Sequence, residues 1–125
     1  GIVCQSELDL VTTLSGGNQQ KVMIGRWLSE KSEVLLLDEP FQGVDIKARR
    51  DIGSHIRQSS NERATLVFVA ELDEAVEIAD KIVVLHEGSY AGIFENKESN
   101  IVDILSLYSG KSTKVAAKAT ERLSG

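Results

Sequence analysis

The run Val34-Leu35-Leu36-Leu37, followed at once by Asp38-Glu39-Pro40, constrains this chain more than any other stretch. Four apolar residues without alternation suit a strand buried on both faces, as in a parallel sheet covered by helices. Pro40 stops the strand, because proline has no N–H to give to a ladder. The stretch therefore predicts a buried strand that delivers two carboxylates at its end.

The neighbouring segments alternate with it. Residues 15–30 read as a helix, with Ser15 as N-cap and an apolar stripe of Val22, Met23, Ile24, Trp27 and Leu28. That stripe makes Trp27 a core residue rather than a stacking platform. Phe41-Gln42-Gly43-Val44-Asp45 is a loop, and Asp45 is placed to cap a helix over residues 46–59 with the stripe Ala48, Ile52 and Ile56. Gly53 weakens that helix by ~1 kcal/mol relative to alanine. Residues 64–70 (ATLVFVA) form a second buried strand, and Leu72, Ala75, Val76 and Ala79 mark a short helix. Its acidic residues, Glu71, Asp73, Glu74 and Glu77, lie on a solvated face. Residues 81–86 (KIVVLH) are a third core strand. Glu87-Gly88 turns it into an edge hairpin strand over residues 89–95. Asn100 caps a last helix carrying Ile101, Ile104, Leu105 and Tyr108, which Gly110 stops. Residues 1–13 show no clean period, and residues 111–125 read as a loose helix or a disordered tail without chemistry. Strand–helix alternation of this kind means an α/β layered domain.

Bulk properties narrow the function. The 125 residues suffice for one domain, and 42% hydrophobic with 26% charged residues is ordinary globular composition. A net charge of −5 argues against nucleic acid as the main partner. Cys4 alone supports neither a disulfide framework nor a thiol metal cluster. His55 and His86 have no third ligand beside them. No apolar run approaches the roughly 20 residues of a membrane span. The abrupt start without Met, and three core strands with one edge strand, read as a piece of something longer.

Two constellations carry chemistry. At the strand end, one of Asp38 and Glu39 can hold Mg2+ through water, as hard oxygen ligands do. The other can orient or deprotonate an attacking water. The bland alternative is a strand that runs out into a solvated acidic turn. At the helix start, Ser15-Gly16-Gly17 leaves first-turn amides uncovered at the positive end of a helix dipole, where a phosphate can approach. The bland alternative there is a plain Ser-capped helix.

The two together, in this order, resemble the nucleotide-binding domain of ATP-binding cassette (ABC) proteins. Leu14-Ser15-Gly16-Gly17-Asn18-Gln19-Gln20 resembles that family's signature motif, Leu35-Leu36-Leu37-Asp38-Glu39-Pro40 its Walker B strand, and Gly43-Val44-Asp45 its D-loop. The Asn-Gln-Gln-Lys-Val ending is similar to the second cassette of bacterial monosaccharide importers of the ribose, galactose and xylose group. The resemblance implies an α/β, partial P-loop NTPase-like layered fold, with a mainly parallel sheet flanked by helices and a C-terminal edge hairpin, lacking the Walker A portion. Residues 1–110 would be the C-terminal part of one cassette.

By the same resemblance, Ser15, Gly16 and Gly17 contact the γ-phosphate of an ATP held by the opposite cassette, with Gln19 nearby. Asp38 holds Mg2+ through water, Glu39 is the catalytic base, and Asp45 couples the two composite sites. The implied partners are a second cassette, of the same or another chain, and membrane permease subunits, at the cytoplasmic face of the inner membrane, with no nucleic acid.

Three departures qualify this. No phosphate cradle precedes the signature. Gly110-Lys111-Ser112-Thr113 imitates only its end, in a position no strand leads into, and Gln5 is too close to the signature to be the family's Q-loop glutamine. Ala70 stands where the family usually has its switch histidine, and an alanine can neither bond a γ-phosphate nor relay a proton. Two other readings therefore stand beside the importer. One is a non-transport ABC ATPase, although those usually carry Glu where Asn18 stands. The other is a catalytically inactive regulatory cassette.

Overall fold

A computed structural model describes residues 2–110 of the chain. They fall into two compact units, one running to Ile78 and one beginning at Ala79.

The first unit holds helix α1 (Gly16–Ser29), strand β1 (Val34–Asp38), helix α2 (Ile46–Gln58), strand β2 (Ala64–Phe68) and helix α3 (Leu72–Ile78). Strands β1 and β2 pair in parallel, from Val34 opposite Ala64 to Asp38 opposite Phe68. The ladder runs one bond further at each end, Ala64 N–H donating to Glu33 O and Glu39 N–H donating to Phe68 O, both at 2.9 Å. Successive side chains of a strand point to opposite faces. Leu35 and Leu37 thus enter a core with Ile24, Phe41, Ile52, Ile56 and Ile78.

That core covers one face only, which corrects the expectation of a strand buried on both. Leu36 is 64% exposed and Phe68 44%, and Val34 and Leu66 are open beside them. The unbroken apolar run is real, but α1, α2 and α3 supply one covering layer, and the described residues contain no second one.

Helix α1 has the predicted limits but not the predicted face. Ile24 is its one buried residue, while Trp27 is 57% exposed and Met23 is open as well. Trp27 is therefore not a core residue among the described ones. The helix is instead held at its C-terminal end by Arg63, whose side chain is 4% exposed. Its guanidinium donates to Leu28 O (2.9 Å), Trp27 O (3.3 Å) and Ser32 Oγ (3.3 Å). A cation on the last carbonyls of a helix meets the negative end of its dipole.

Helix α2 buries Ala48, Ile52 and Ile56 as its period requires, and also Gly53. The acidic face of α3 is not simply solvated. Arg49 of α2 donates to Asp73 Oδ2 at 2.8 Å, and Glu74 Oε1 lies 3.9 Å away. Glu77 Oε2 is 3.2 Å from Arg49 Nε, as an ion pair whose N–H is not aligned for a hydrogen bond.

The second unit holds strands β3 (Lys81–His86) and β4 (Ser89–Glu95) and helix α4 (Ile101–Tyr108). The strands form an antiparallel hairpin, with a register shift between Val84 and Leu85. Among the described residues β3 pairs with β4 alone. Glu87 (φ 48°) and Gly88 (φ 73°) are both left-handed, the conformation that a type I′ two-residue hairpin turn requires at both positions. Ile82, Val84, Phe94, Ile104 and Leu107 are its buried apolar residues. Leu107, not Leu105 or Tyr108, joins Ile104 inside. Asn100 does not cap α4: its Nδ2 donates to Glu95 O at 2.9 Å. The tail, residues 111–125, lies outside the described residues. No helix among the described residues is long and apolar enough to cross a membrane.

Gly53 has a packing reason. A Cβ there would stand 2.8 Å from Ile78 Cγ2. Gly53→Ala is expected not to gain the ~1 kcal/mol of helix propensity but to lose about 1–3 kcal/mol through overpacking, read from urea unfolding.

Candidate functional site

The start of α1 is built from consecutive side chains with separate tasks. Ser15 has extended backbone (φ −60°, ψ 154°) and its carbonyl accepts the first helical bond from Gln19 N–H at 2.9 Å. Its hydroxyl does not cap the helix. It accepts instead from Asn18 Nδ2 at 3.0 Å. The same carboxamide pairs with the backbone of Val3 in both directions, Val3 N–H donating to Oδ1 and Nδ2 donating to Val3 O, each at 3.1 Å. Gln19 turns back along its own chain, its Nε2 on Leu14 O at 2.8 Å. Gln20 reaches the loop after β1, its Nε2 on Pro40 O at 2.9 Å. Lys21 reaches α2, its Nζ on Asp51 Oδ2 at 2.7 Å.

Between these ties sit Gly16 and Gly17. A Cβ at Gly16 would lie 3.6 Å from Gly43 O, and one at Gly17 3.4 Å from Ala48 Cβ, both ordinary contacts. Neither glycine has a positive φ. Packing within the described residues thus does not demand them, and glycine weakens a helix by ~1 kcal/mol relative to alanine. What they achieve is bareness. Their amides belong to the first turn, which has no intrahelical acceptor, and no hydrogen bond ends on them among the described residues.

The end of β1 places the carboxylates. Asp38 is exposed and Glu39 half-buried. Glu39 is left-handed, φ 46°, one of two such non-glycine residues among those described. A conformation of that kind costs about 1–3 kcal/mol and persists where its surroundings over-determine it. Here they do so. Glu39 N–H is fixed on Phe68 O, Gln42 N–H donates to Glu39 O at 3.1 Å, and Pro40 and Phe41 are buried. The loop passes through Gly43 (φ 72°) to Asp45. Asp45 Oδ1 accepts from Ala48 N–H at 2.8 Å and so caps α2, as its position predicts. Glu74 of α3 has its carboxyl pushed up by burial, with Arg49 pulling it down and Asp73, Glu39 and Glu71 pushing it up.

Among the described residues no three His, Cys, Asp or Glu side chains converge to hold a metal ion. Asp38 alone therefore fits Mg2+ only in the way that ion usually binds, through one or two carboxylates with waters and substrate phosphates. Ala70 follows β2 and is exposed. The structure thus sets Gly16 beside the Gly43 loop and Gly17 beside Ala48 of α2, and places Asp38, Glu39 and Asp45 between the end of β1 and the start of α2. It turns Gln19's donor away to Leu14. Gln20, Lys21 and Asn18 as ties, and Arg49 as a bracket between α2 and α3, carry no periodic signal in the sequence.

Residues 4–42 match the ABC transporter family. Over 100 residues the chain is 42% identical to a putative ribose/galactose/methyl galactoside import ATP-binding protein of Hahella chejuensis, covering 79% of this chain and 19% of that protein. Over 103 residues it is 41% identical to the arabinose import ATP-binding protein AraG of Pectobacterium atrosepticum, covering 82% and 20%. The chain spans about a fifth of the length of these curated relatives. In fold it is similar to MJ1267 in its ADP conformation, an ATP-binding cassette of an ABC transporter (TM-score 0.65, 26% identity, 78% of this chain and 41% of that one). A structure of SMC ATPases shares the fold at 17% identity (TM-score 0.58, 82% of this chain and 66% of that one).

The Lys21 bond holds the Asp51 carboxyl below its ordinary range. A depressed folded-state pKa adds stability that is present above the unfolded value, about 3.9, and is lost as pH falls through the folded one. The stability difference between wild type and Lys21→Met is therefore expected to hold at neutral pH and to shrink below about pH 4, in urea titrations at stepped pH.

Proposed function

From the premise that this chain belongs to the ATP-binding cassettes of ABC transporters, we propose that residues 1–110 are the C-terminal part of one cassette in a monosaccharide importer. In this reading the cassette faces a second one, of the same or another chain, and ATP lies between them. Closure of the pair drives permease subunits from the cytoplasmic face of the membrane. The family membership and the names of the relatives support the importer class.

The bare turn at Ser15, Gly16 and Gly17 is the observation that carries the reading. Two glycines that packing does not require, with free amides at the positive end of a helix, suit close approach by a phosphate. That phosphate belongs to the ATP held by the opposite cassette. Asp38 would hold Mg2+ through water, an ion that would supply charge neutralisation for the phosphate. Glu39 orients the attacking water and accepts its proton. Asp45, already fixed as the cap of α2, links the two composite sites. Gln19, with its donor on Leu14 O, supports the turn from behind.

Ala70 favours a second reading of one half of this scheme. Without a histidine at that place, Glu39 lacks the partner that would hold the γ-phosphate beside its water, and its own site binds nucleotide as a regulatory rather than a hydrolysing one. The signature turn is unaffected by this and serves the partner's site.

In the full-length protein with its permease, Ser15→Arg is expected to lower transport-linked ATP hydrolysis by at least about a hundredfold, the usual cost of removing a donor aimed at developing charge. Hydrolysis at the wild-type rate would sink the signature role. Glu39→Gln separates the two readings of its site. A fall of about a hundredfold or more marks a general base, and an unchanged rate marks a regulatory site.

A further inference from the structure

We propose that Gln20 is a positioning residue for the Ser15, Gly16 and Gly17 turn, fixing that turn to the sheet through the carbonyl of Pro40. The inference rests on the reading that this turn serves an ATP.

Helix α1 buries Ile24 fully and packs Leu28, one turn further on, partly against the same core. Both contacts lie in the second half of the helix, and burial is non-directional, so they set the position of the first turn only loosely. Directional bonds must therefore set where its first turn stands. At the C-terminal end Arg63 supplies them, on Trp27 O and Leu28 O. Near the first turn Gln20 supplies one, its Nε2 donating to Pro40 O at 2.9 Å. A prolyl carbonyl only accepts, so the carboxamide must present its N–H2 side.

Pro40 is a good anchor. It is among the most completely buried side chains. The residue before it is held on Phe68 O of the neighbouring strand and by Gln42 N–H, and Phe41 after it is buried. Gln20 is half-buried and stands five residues past Ser15. It conveys the rigidity of the β1 end to the bare amides. The rotation and slide it prevents are those that would carry the Gly16 and Gly17 amides off a phosphate, where a misplacement of about 1 Å costs on the order of a hundredfold in rate.

The test uses the full-length protein and its ATP turnover. Gln20→Met keeps the length and removes the donor. Gln20→Lys restores a donor. The turn acts only once ATP is already held by the other cassette, so its misplacement moves kcat rather than KM. Gln20→Met is expected to lower kcat about tenfold with KM for ATP within about twofold, and Gln20→Lys to recover most of that loss. Ser15→Ala combined with Gln20→Met is expected to fall short of the product of the single losses, because both act through one turn. Gln20→Glu, which offers an acceptor where a donor is needed, should repeat the pattern if Gln20→Met does not fold.

Unchanged kcat in Gln20→Met or Gln20→Glu overturns the proposal. So does a full multiplicative loss with Ser15→Ala, or a failure of Gln20→Lys to recover kcat, since either marks a merely stabilising contact. If Ser15→Ala and Ser15→Arg both leave turnover intact, the signature reading itself falls and takes this proposal with it. A loss in the Ser15 variants with none in Gln20→Met or Gln20→Glu removes this proposal alone.

Discussion

The structure depends on the alternation of side chains along β1. Leu35 and Leu37 turn inward, and Ile52 of α2, 1% exposed, closes over them with Ile56 and Ile24. At ~25 cal/mol per Å2 of apolar surface removed from water, this contact is the main force that fixes α2 on the sheet. The rest follows from the strand's end. The chain cannot continue past Pro40, so it turns, and Phe41 drives the turn back into the same core. Asp38 and Glu39 are delivered at that corner because the strand stops there, and Asp45 begins α2 because the loop is short.

Helix α1 is attached by different means. Its apolar contribution is small, Ile24 with Leu28 half-buried beside it, and polar contacts with fixed directions complete its placement: Asn18 on Val3 and Ser15, Gln20 on Pro40, Lys21 on Asp51, Arg63 on the last turn. Hydrogen bonds of this kind are each worth about 0.5–1.5 kcal/mol net, so they add little stability singly. They add geometry. The turn that bears Ser15, Gly16 and Gly17 stays clear of side chains and still has a defined position, which a purely apolar attachment would not give.

How far this could be read from the residues differs by kind. The apolar run at β1 is a strand as read, though one covered on a single face. The stripe Ala48, Ile52, Ile56 and the hairpin turn at Glu87-Gly88 follow from periodicity and turn chemistry, and the structure keeps them. So does the Asp45 cap. Trp27 misleads because periodicity names a face of a helix but not whether anything covers it. Ser15 misleads because Asn18, three residues on, claims its hydroxyl. The acidic residues of α3 look solvated in the sequence because Arg49 is 24 residues from Asp73 and no local pattern joins them. The candidate site could be picked out where a motif is contiguous, as at Ser15-Gly16-Gly17 and Asp38-Glu39. The ties that hold it, Gln20 to Pro40 above all, are long-range pairs of single side chains.

Arg63 also couples the end of one helix to the pairing of two strands. It stands immediately before β2 and bonds carbonyls of α1 that lie 35 and 36 residues earlier. A loop of that length must close before the bond can form, and contacts of such separation are gained slowly. The last turn of α1 is thus closed by a residue whose own place is set by the register of β2 beside β1. Slippage of the parallel pair would withdraw the guanidinium from those carbonyls and fray the helix end, so the closing of α1 and the register of the strands stand or fall together.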